Sequence, residues 1–440
     1  MTDLPKGWEW STLENLAASD PRSMTDGPFG SNLKSSHYVS AGPRVIRLQN
    51  IGFGEFVDER AHITEEHFDT LRKHEVVAGD LLVASLGENL PRSCIAPESI
   101  GPAIVKADCI RVRLHPEMDR QYVNYALQRP AIHAAVKEQI HGVGRPRLGM
   151  AGIRQLTVPL PSQAEQQRIV AAIEENLSRL EAAEAALVAA SDRADALIRS
   201  VRSSVADGTW PRTRLRDLAD TQLGKMLSAK SRSGVGTTPY LRNRNVRWGS
   251  FDLTEVALMD FSSVEQDKFR LQPGDVLVCE GGAGVGRAAV WQGDLEGTCY
   301  QKALHRIRTG PEILPAFLAE FIRFFVESGR LEQDLSGVAI GHWPQEDIRE
   351  LLVPTPSIGQ QADWLERLAA VSAVVAHAHA STRRAQLRAR HLRRSILAAA
   401  VSGQLVPQNP ADEPASALLK RIQAERDAQP KRGRARKVTS

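Results

Sequence analysis

The chain has 440 residues, 42% of them hydrophobic, with 56 Lys and Arg against 52 Asp and Glu for a formal net charge of +4. Such a length predicts two to four domains and such an apolar share excludes a disordered chain, while a near-balanced charge excludes nucleic-acid binding by bulk charge alone. No apolar run reaches the roughly 18 to 20 residues of a membrane span, and the opening MTDLPKGWEW lacks the regions of a signal peptide, so a cytoplasmic location away from membranes is expected.

In chain order, residues 5–160 read as a mixed α/β domain. Short strand-like runs (RVIRLQNI, DLLVAS, CIRVRL, RQLTVPL) are separated by Gly and Pro turns, with the helical stretch RQYVNYALQRPAIHAAVKEQI between them. Ser162 and Glu165 then have capping-box spacing and open a helix over 162–207 that Gly208 can close. A second mixed domain follows over 210–355, a second long helix over 357–402 with Ser357 and Gln360 at its start and Gly403 after it, and a segment over 403–440 with the basic tail KRGRARK. Cys94, Cys109, Cys279 and Cys299 form no pair with metal-ligand spacing and read as buried, reduced thiols.

The second half repeats the first. LTVPLPSQAEQQRIV (156–170) returns as LLVPTPSIGQQADWL (351–365), so Pro159, Ser162 and Gln166 recur as Pro354, Ser357 and Gln361 at a constant offset of 195. The same offset takes Arg47, Asn50 and Gly54 to Arg242, Asn245 and Gly249, and Asp80 and Arg113 to Asp275 and Arg308. A period this long, far above the roughly 20 to 50 residues of solenoid repeats, means a duplicated domain with its own core. The register slips between residues 18 and 43, where ASDPRSMTDGPFGSNLKSSHY stands against TQLGKMLSAKSRSGVGTTPY and the halves differ most.

Each long helix, at about 1.5 Å per residue, predicts a rod of roughly 65 Å. The first has a coiled-coil seam at Val170, Ile173, Leu177, Leu180, Leu187, Ala194, Ile198, Val201 and Val205, interrupted by Glu184 and Ser191. The second is less regular (Leu365, Leu368, Val375, Leu387, Ile396, Val401) and carries STRRAQLRARHLRRS, six arginines without an acid. Antiparallel pairing of the acidic first rod with the basic second accounts for those arginines without DNA. The expected architecture is therefore α/β (mixed α+β), two tandem domains joined by a pair of long antiparallel coiled-coil helices with pseudo-twofold symmetry.

Chemistry-bearing motifs are absent from the sequence. EGGAGVGR (280–287) fails the phosphate-loop pattern because Arg287 and Ala288 stand where Lys and Ser/Thr are needed, and His377 and His379 are two apart on a helix, on different faces. No methyltransferase signature, nuclease carboxylate cluster or nucleophile triad is found, so no catalytic or metal-ligating residue is expected. What does recur is polar clusters suited to bases and phosphates. Lys34, Arg47, Gln49 and Asn50 in the first half answer to Lys230, Arg242, Asn243, Arg244 and Asn245 in the second, and Arg92 answers to Arg287. The Gly-flanked loops HGVGRPRLGMAGI and SGVAIGHWPQEDI carry unlike tips, Arg145 and Arg147 against His342 and Trp343. Unlike tips on like scaffolds would read unlike DNA sequences. Each such residue is equally compatible with ordinary surface solvation, and those identical in both halves with a structural role.

GWEWSTLENLA (7–17), VPLPSQAEQQRIV and VPTPSIGQQADWL before the long helices, and SGQLVPQNPADEPASALLKRIQAER (402–426) together resemble the specificity (S) subunit of type I restriction-modification systems. The second copy departs from that family at SIGQQADW, where Glu-Gln-Arg-Ile is usual. The resemblance implies two target-recognition domains, each reading one half of a split, asymmetric double-stranded DNA sequence, with the helices measuring the spacer. It also implies two methyltransferase (M) subunits that hold S-adenosylmethionine and methylate adenine, restriction (R) subunits that use ATP and Mg, and no cofactor or catalytic residue on this chain. A coiled-coil scaffold and a fused restriction-modification enzyme with an unrecognised active site are the alternatives; sequence-dependent DNA binding separates the first and methyl transfer by the lone chain the second. Inserting four residues in both rods adds about 6 Å and is expected to lengthen the preferred spacer by about two base pairs at ~3.4 Å each, read by methylation mapping; an unchanged spacer contradicts the ruler.

Overall fold

The structure, a computed structural model, describes residues 4–139, 146–207, 210–226, 237–282, 284–331 and 341–428. The chain divides into two compact units, Met1–Ala185 with Arg384–Ser440, and Ala186–Arg383. The long helices Gln163–Asp207 and Ile358–Val401 each give one half to each unit.

In the first unit the strands are β1 (Glu9–Thr12), β2 (Met24–Thr25), β3 (Tyr38–Ile46), β4 (His62–Ile63), β5 (Glu75–Val76), β6 (Leu81–Ala84), β7 (Arg92–Ile95), β8 (Ala103–Val105), β9 (Cys109–Val112) and β10 (Thr157–Leu160). They pair as β2-β9-β6-β7, as β4-β3-β8-β5 with β3 and β8 parallel, and as β1-β10. Every residue of β6 and β9 is buried, which fits uninterrupted short apolar runs and places both strands at the centre of their sheet. The stretch expected as helix after residue 120 is two helices, Arg120–Leu127 and Pro130–Gln139, because Pro130 lacks the amide needed to continue the first.

The second unit repeats the scheme with β11 (Arg212–Arg214), β12 (Ala219–Leu223), β13 (Thr238–Leu241), β14 (Val246–Arg247), β15 (Ser250–Phe251), β16 (Ala257–Met259), β17 (Val276–Cys279), β18 (Ala288–Val290), β19 (Cys299–Tyr300), β20 (Leu304–Thr309) and β21 (Leu352–Pro354). Here β12-β20-β17-β18 forms the four-stranded sheet, β16-β13-β19 the mixed one and β11-β21 the pair that leads to the long helix.

The residues that repeat between halves hold this scaffold. Asn50 is fully buried; its Oδ1 accepts the Arg47 amide at 2.8 Å and its Nδ2 donates to the carbonyls of Val57 and Glu59. Asn245 does the same for Arg242, Asp252 and Glu255. Asn50 is therefore corrected from a base contact to the lock of a tight turn, since no amide hydrogen is left for a ligand. Asp80 accepts both Nε and Nη2 of Arg113 at 3.0 and 3.1 Å, and Asp275 those of Arg308 at 2.7 and 2.8 Å. All four cysteines are free and buried, and burial pushes the Cys94 and Cys279 thiols up to about 12.

Within each unit the helix halves pack antiparallel. In the first, Arg393 bonds Glu181 at 3.1 Å while Leu177, Ile396 and Leu397 join one core. In the second, the Trp364 indole donates to Ser204 Oγ at 3.1 Å, and His379 meets both Ser191 (3.4 Å) and Asp195 (2.9 Å), so the polar break in the first seam faces a polar partner. The second seam differs from expectation: Leu387 is exposed and Ala389 buried. Val375, Ala389 and Ile396 lie multiples of seven apart, which keeps them on one face. Gly403 closes this helix with φ 71°, and Gly208 lies outside the described residues.

Ser357 and Gln360 form the full capping box, each accepting the other's amide at 3.3 and 3.0 Å. The first helix keeps only half of it: Ser162 Oγ accepts the Glu165 amide, but the Glu165 carboxylate turns to the Trp8 indole at 3.0 Å, tying the helix to the residue before β1. The C-terminal segment seals the same corner, with Asp412 bound by Ser162 and Arg168, and its helix Ala415–Ala428 placing Arg426 on the carbonyls of Glu14 and Ala17.

Burial, the largest influence, raises the Glu165 carboxyl above its ordinary range, against the lowering by Trp8 and Arg168. A raised carboxyl contributes most to stability below its unfolded value, and that contribution is lost as pH rises through the folded value. Glu165→Gln keeps an acceptor for the indole without ionising. It is expected to raise the melting temperature of the full chain by a few degrees at neutral pH, with the gain shrinking as pH falls towards about 4, as read by thermal denaturation across that range.

Candidate nucleic-acid interface

In the first unit, four backbone segments are hydrogen-bonded into one cluster: residues 26–29, 85–87, 106–108 and 146–148. Gly87 donates to Pro146 O at 3.0 Å, Leu148 to Ser85 O at 2.8 Å and Ser85 to Asp108 O at 2.9 Å, while the Asp108 amide donates to Asp26 Oδ1 at 2.9 Å. Leu86 and Arg147 pair as an isolated antiparallel bridge.

The second unit builds the same cluster from 224–226, 280–282, 301–303 and 341–343. Gly282 donates to Gly341 O at 3.0 Å, Trp343 to Glu280 O at 2.6 Å and Glu280 to Ala303 O at 2.9 Å; Gly281 and His342 form the matching bridge. Glycine is required where the variable segment crosses the strand end. A Cβ on Gly27 would lie 2.0 Å from the Lys106 carbonyl carbon, and one on Gly224 2.4 Å from Gln301 O. Gly87 and Gly282 turn with φ of 126° and 79°, a region that side chains disfavour.

On these like frames the side chains differ. The first cluster carries Asp26, Phe29, Lys106, Asp108 and Arg147; the second carries Lys225, Met226, Lys302 and His342, with Glu280 buried beneath them. Arg147 is half-exposed, 2.7 Å from Asp108, with its guanidinium 5.6 Å from the Phe29 ring centre. Burial raises the Asp26 carboxyl, outweighing the amides of Gly27 and Asp108 that bond it. In the second cluster Lys225 is bonded to Glu265 and to Asp260 O, and burial raises the Glu280 carboxyl, which lies 3.8 Å from His342. His305 donates to Trp343 O at 2.8 Å, and burial lowers its pKa to about 4, so it stays neutral.

The residues expected from sequence fall in different places. Arg147 and His342 occupy matching, half-exposed places in the two clusters. Asn243 reaches the second cluster by donating to Gly281 O at 2.9 Å. Arg47, Gln49 and Arg92 gather around the Asn50 turn, with Arg47 and Gln49 against Glu59 and Arg92 on Leu48 O. Arg242 and Arg244 share Glu255 on the equivalent turn, and Arg287 packs beside Gly284. Lys34 is exposed on the variable segment. Trp343 is corrected: only 2% exposed, it stacks on Phe325 at 6.0 Å and belongs to the core, because the residue after the bridge turns inward as Leu148 does. Arg145 and Lys230 lie outside the described residues. Sequence reasoning missed Asp26, Phe29, Asp108, Lys225, Met226 and Glu280; the signal was the region of greatest divergence between halves, which holds four of them.

Among the described residues no group of three or more His, Cys, Asp or Glu could hold a metal ion, and no helix is long and apolar enough to cross a membrane. The clusters offer donors, acceptors and an exposed apolar side chain each, Phe29 and Met226. Such groups recognise a surface of mixed polarity such as a groove edge of DNA.

Residues 208–387 match the model of the type I restriction modification DNA specificity domain. The chain is 29% identical over 236 residues to the type I restriction enzyme EcoKI specificity subunit of Escherichia coli (strain K12), covering 47% of this chain and 48% of that relative. It is 23% identical over 392 residues to the EcoBI specificity subunit of Escherichia coli, covering 79% and 80%. The chain thus spans about half the length of the first of these relatives and four fifths of the second. Its fold is similar to the HsdS subunit from Thermoanaerobacter tengcongensis, with a TM-score of 0.61 and 17% identity over 92% of this chain and 98% of that one. It is also similar to a chain from work on complex assembly and conformational transition of the type I restriction-modification system, at a TM-score of 0.66 and 17% identity over 92% and 100%.

Gly27→Ala is expected to destabilise the full chain by ~3 kcal/mol, because the new methyl meets backbone rather than a movable side chain. Urea denaturation checks this; a change within about 0.5 kcal/mol contradicts the close approach.

Proposed function

We propose a function that starts from the family to which this chain belongs, the specificity subunits of type I restriction-modification systems. Each unit reads one half of a split, asymmetric double-stranded DNA sequence through its four-segment cluster. The long helices hold the two readers and dock two methyltransferase subunits, which carry S-adenosylmethionine and methylate adenine. Restriction subunits, with ATP and Mg, add cleavage where they are present. This chain contributes recognition and no bond-making chemistry, and takes no cofactor itself.

The observation that carries this reading is that one frame of hydrogen bonds recurs in both units while the exposed side chains on it differ. A scaffold has no need of that difference. A duplicated reader does, because direct readout of two unlike half-sites requires unlike donors and acceptors at like positions. The acidic partners of Arg47, Arg242 and Arg244 also fit recognition better than bulk phosphate binding, since they hold the local net charge down.

The test is base-resolved adenine methylation of host DNA with the methyltransferase partner present, with and without this chain. Appearance of one split motif is expected only when the chain is supplied. No motif from an assembled, cofactor-loaded complex contradicts the reading, and methyl transfer by the chain alone contradicts its non-catalytic part.

A further inference from the structure

The first cluster contains an arginine with a carboxylate on one side and an aromatic ring on another. The backbone of Arg147 is set by its bridge to Leu86, one terminal nitrogen lies 2.7 Å from Asp108 Oδ1, and the Phe29 ring lies 5.6 Å from the guanidinium carbon. Asp108 is itself fixed. It has a left-handed φ of 69°, which Asp tolerates better than most residues. Its amide donates to Asp26 Oδ1, and its carbonyl accepts from both the amide and the hydroxyl of Ser85.

We propose that Arg147 reads a guanine in the half-site bound by the first unit, and that Asp108 and Phe29 are the positioning residues that set the plane and the free edge of its guanidinium. The proposal rests on the reading above, that this cluster faces DNA. Asp108 engages one terminal nitrogen, and a guanidinium has five N–H donors, so donors remain for a ligand. Guanine offers N7 and O6 side by side in the major groove, the pair that a planar guanidinium spans.

A phosphate contact fits less well. Asp108 lies 2.7 Å from this guanidinium. A carboxylate already against the arginine disfavours a phosphate there, whereas a base edge carries no formal charge. Phosphate binding also gains little from a planar guanidinium, because it tolerates a mobile point charge. Phe29 is 51% exposed, so its ring is open to a base or sugar as well as to Arg147. In the second unit the matching position is His342, beside Glu280, so the effect belongs to one half-site.

The experiment compares the wild-type chain with Arg147→Gln, Arg147→Lys and Asp108→Asn, each in complex with the methyltransferase partner. It combines motif mapping with competition by duplexes altered at single base pairs. Arg147→Gln is expected to cost on the order of tenfold to a hundredfold in preference at one G·C pair of one half-site, leaving the other half-site intact. Arg147→Lys should lose much of the same preference, because an ammonium cannot make the bidentate contact. Asp108→Asn should relax that position alone, with the salt dependence of binding unchanged. Uniform weakening across all sequences with a shallower salt slope would mark a phosphate contact and overturn the proposal, as would an unaltered motif in all three assembled variants. A wild-type complex that yields no split motif overturns the underlying functional reading instead, so the two failures are distinguishable.

Discussion

A buried glutamine at the start of each long helix fastens the globular part of its unit to the rod. Gln166 is fully buried; its Oε1 accepts the Asp119 amide at 3.0 Å and its Nε2 donates to Pro161 O at 3.2 Å. Gln361 is fully buried too and makes the same pair of bonds, to the Leu314 amide at 2.8 Å and to Pro356 O at 2.9 Å. A side chain that both accepts and donates in a dry site is costly to leave half-satisfied, so the start of the long helix, the proline turn and the N-cap of the earlier helix Arg120–Leu127 or Pro315–Glu327 are held together. The globular part of each unit is thereby joined to its rod at one buried point.

From this anchor the two kinds of residue separate. Those identical in both halves, Asn50 and Asn245, Asp80 and Asp275, Arg113 and Arg308, spend their hydrogen bonds inside the unit. Those that differ at matching places, Arg147 and His342 or Leu86 and Gly281, sit on the bridged loops. A tandem reader built by duplication has to keep the first set to remain folded and vary the second to recognise two different sequences.

The sequence carried the duplication, the mixed α/β class and the long helices openly, because a constant offset and a seam of threes and fours survive without any knowledge of tertiary contacts. It did not carry the direction of individual side chains. Asn50 looks like an adenine reader until its amide is seen closing a turn, and Trp343 looks like an exposed tip until it is seen stacked on Phe325. Glu165 has capping-box spacing but bonds an indole 157 positions away, a partner that no local pattern reveals. Leu387 yields the seam to Ala389 because Ala389, and not Leu387, keeps the seven-residue phase with Val375 and Ile396. Asp108 and Phe29 were invisible because their role exists only beside Arg147, which is distant in sequence.

The central claim is that like frames carry independent readers. The most direct measurement is the methylated motif produced by a complex in which the second cluster alone is altered, His342→Ala with Lys302→Ala. The account predicts that one half-site changes or loses definition while the other half-site and the spacer between them stay as in the wild type. Changes in both half-sites, or an unaltered motif from an assembled complex, would contradict it.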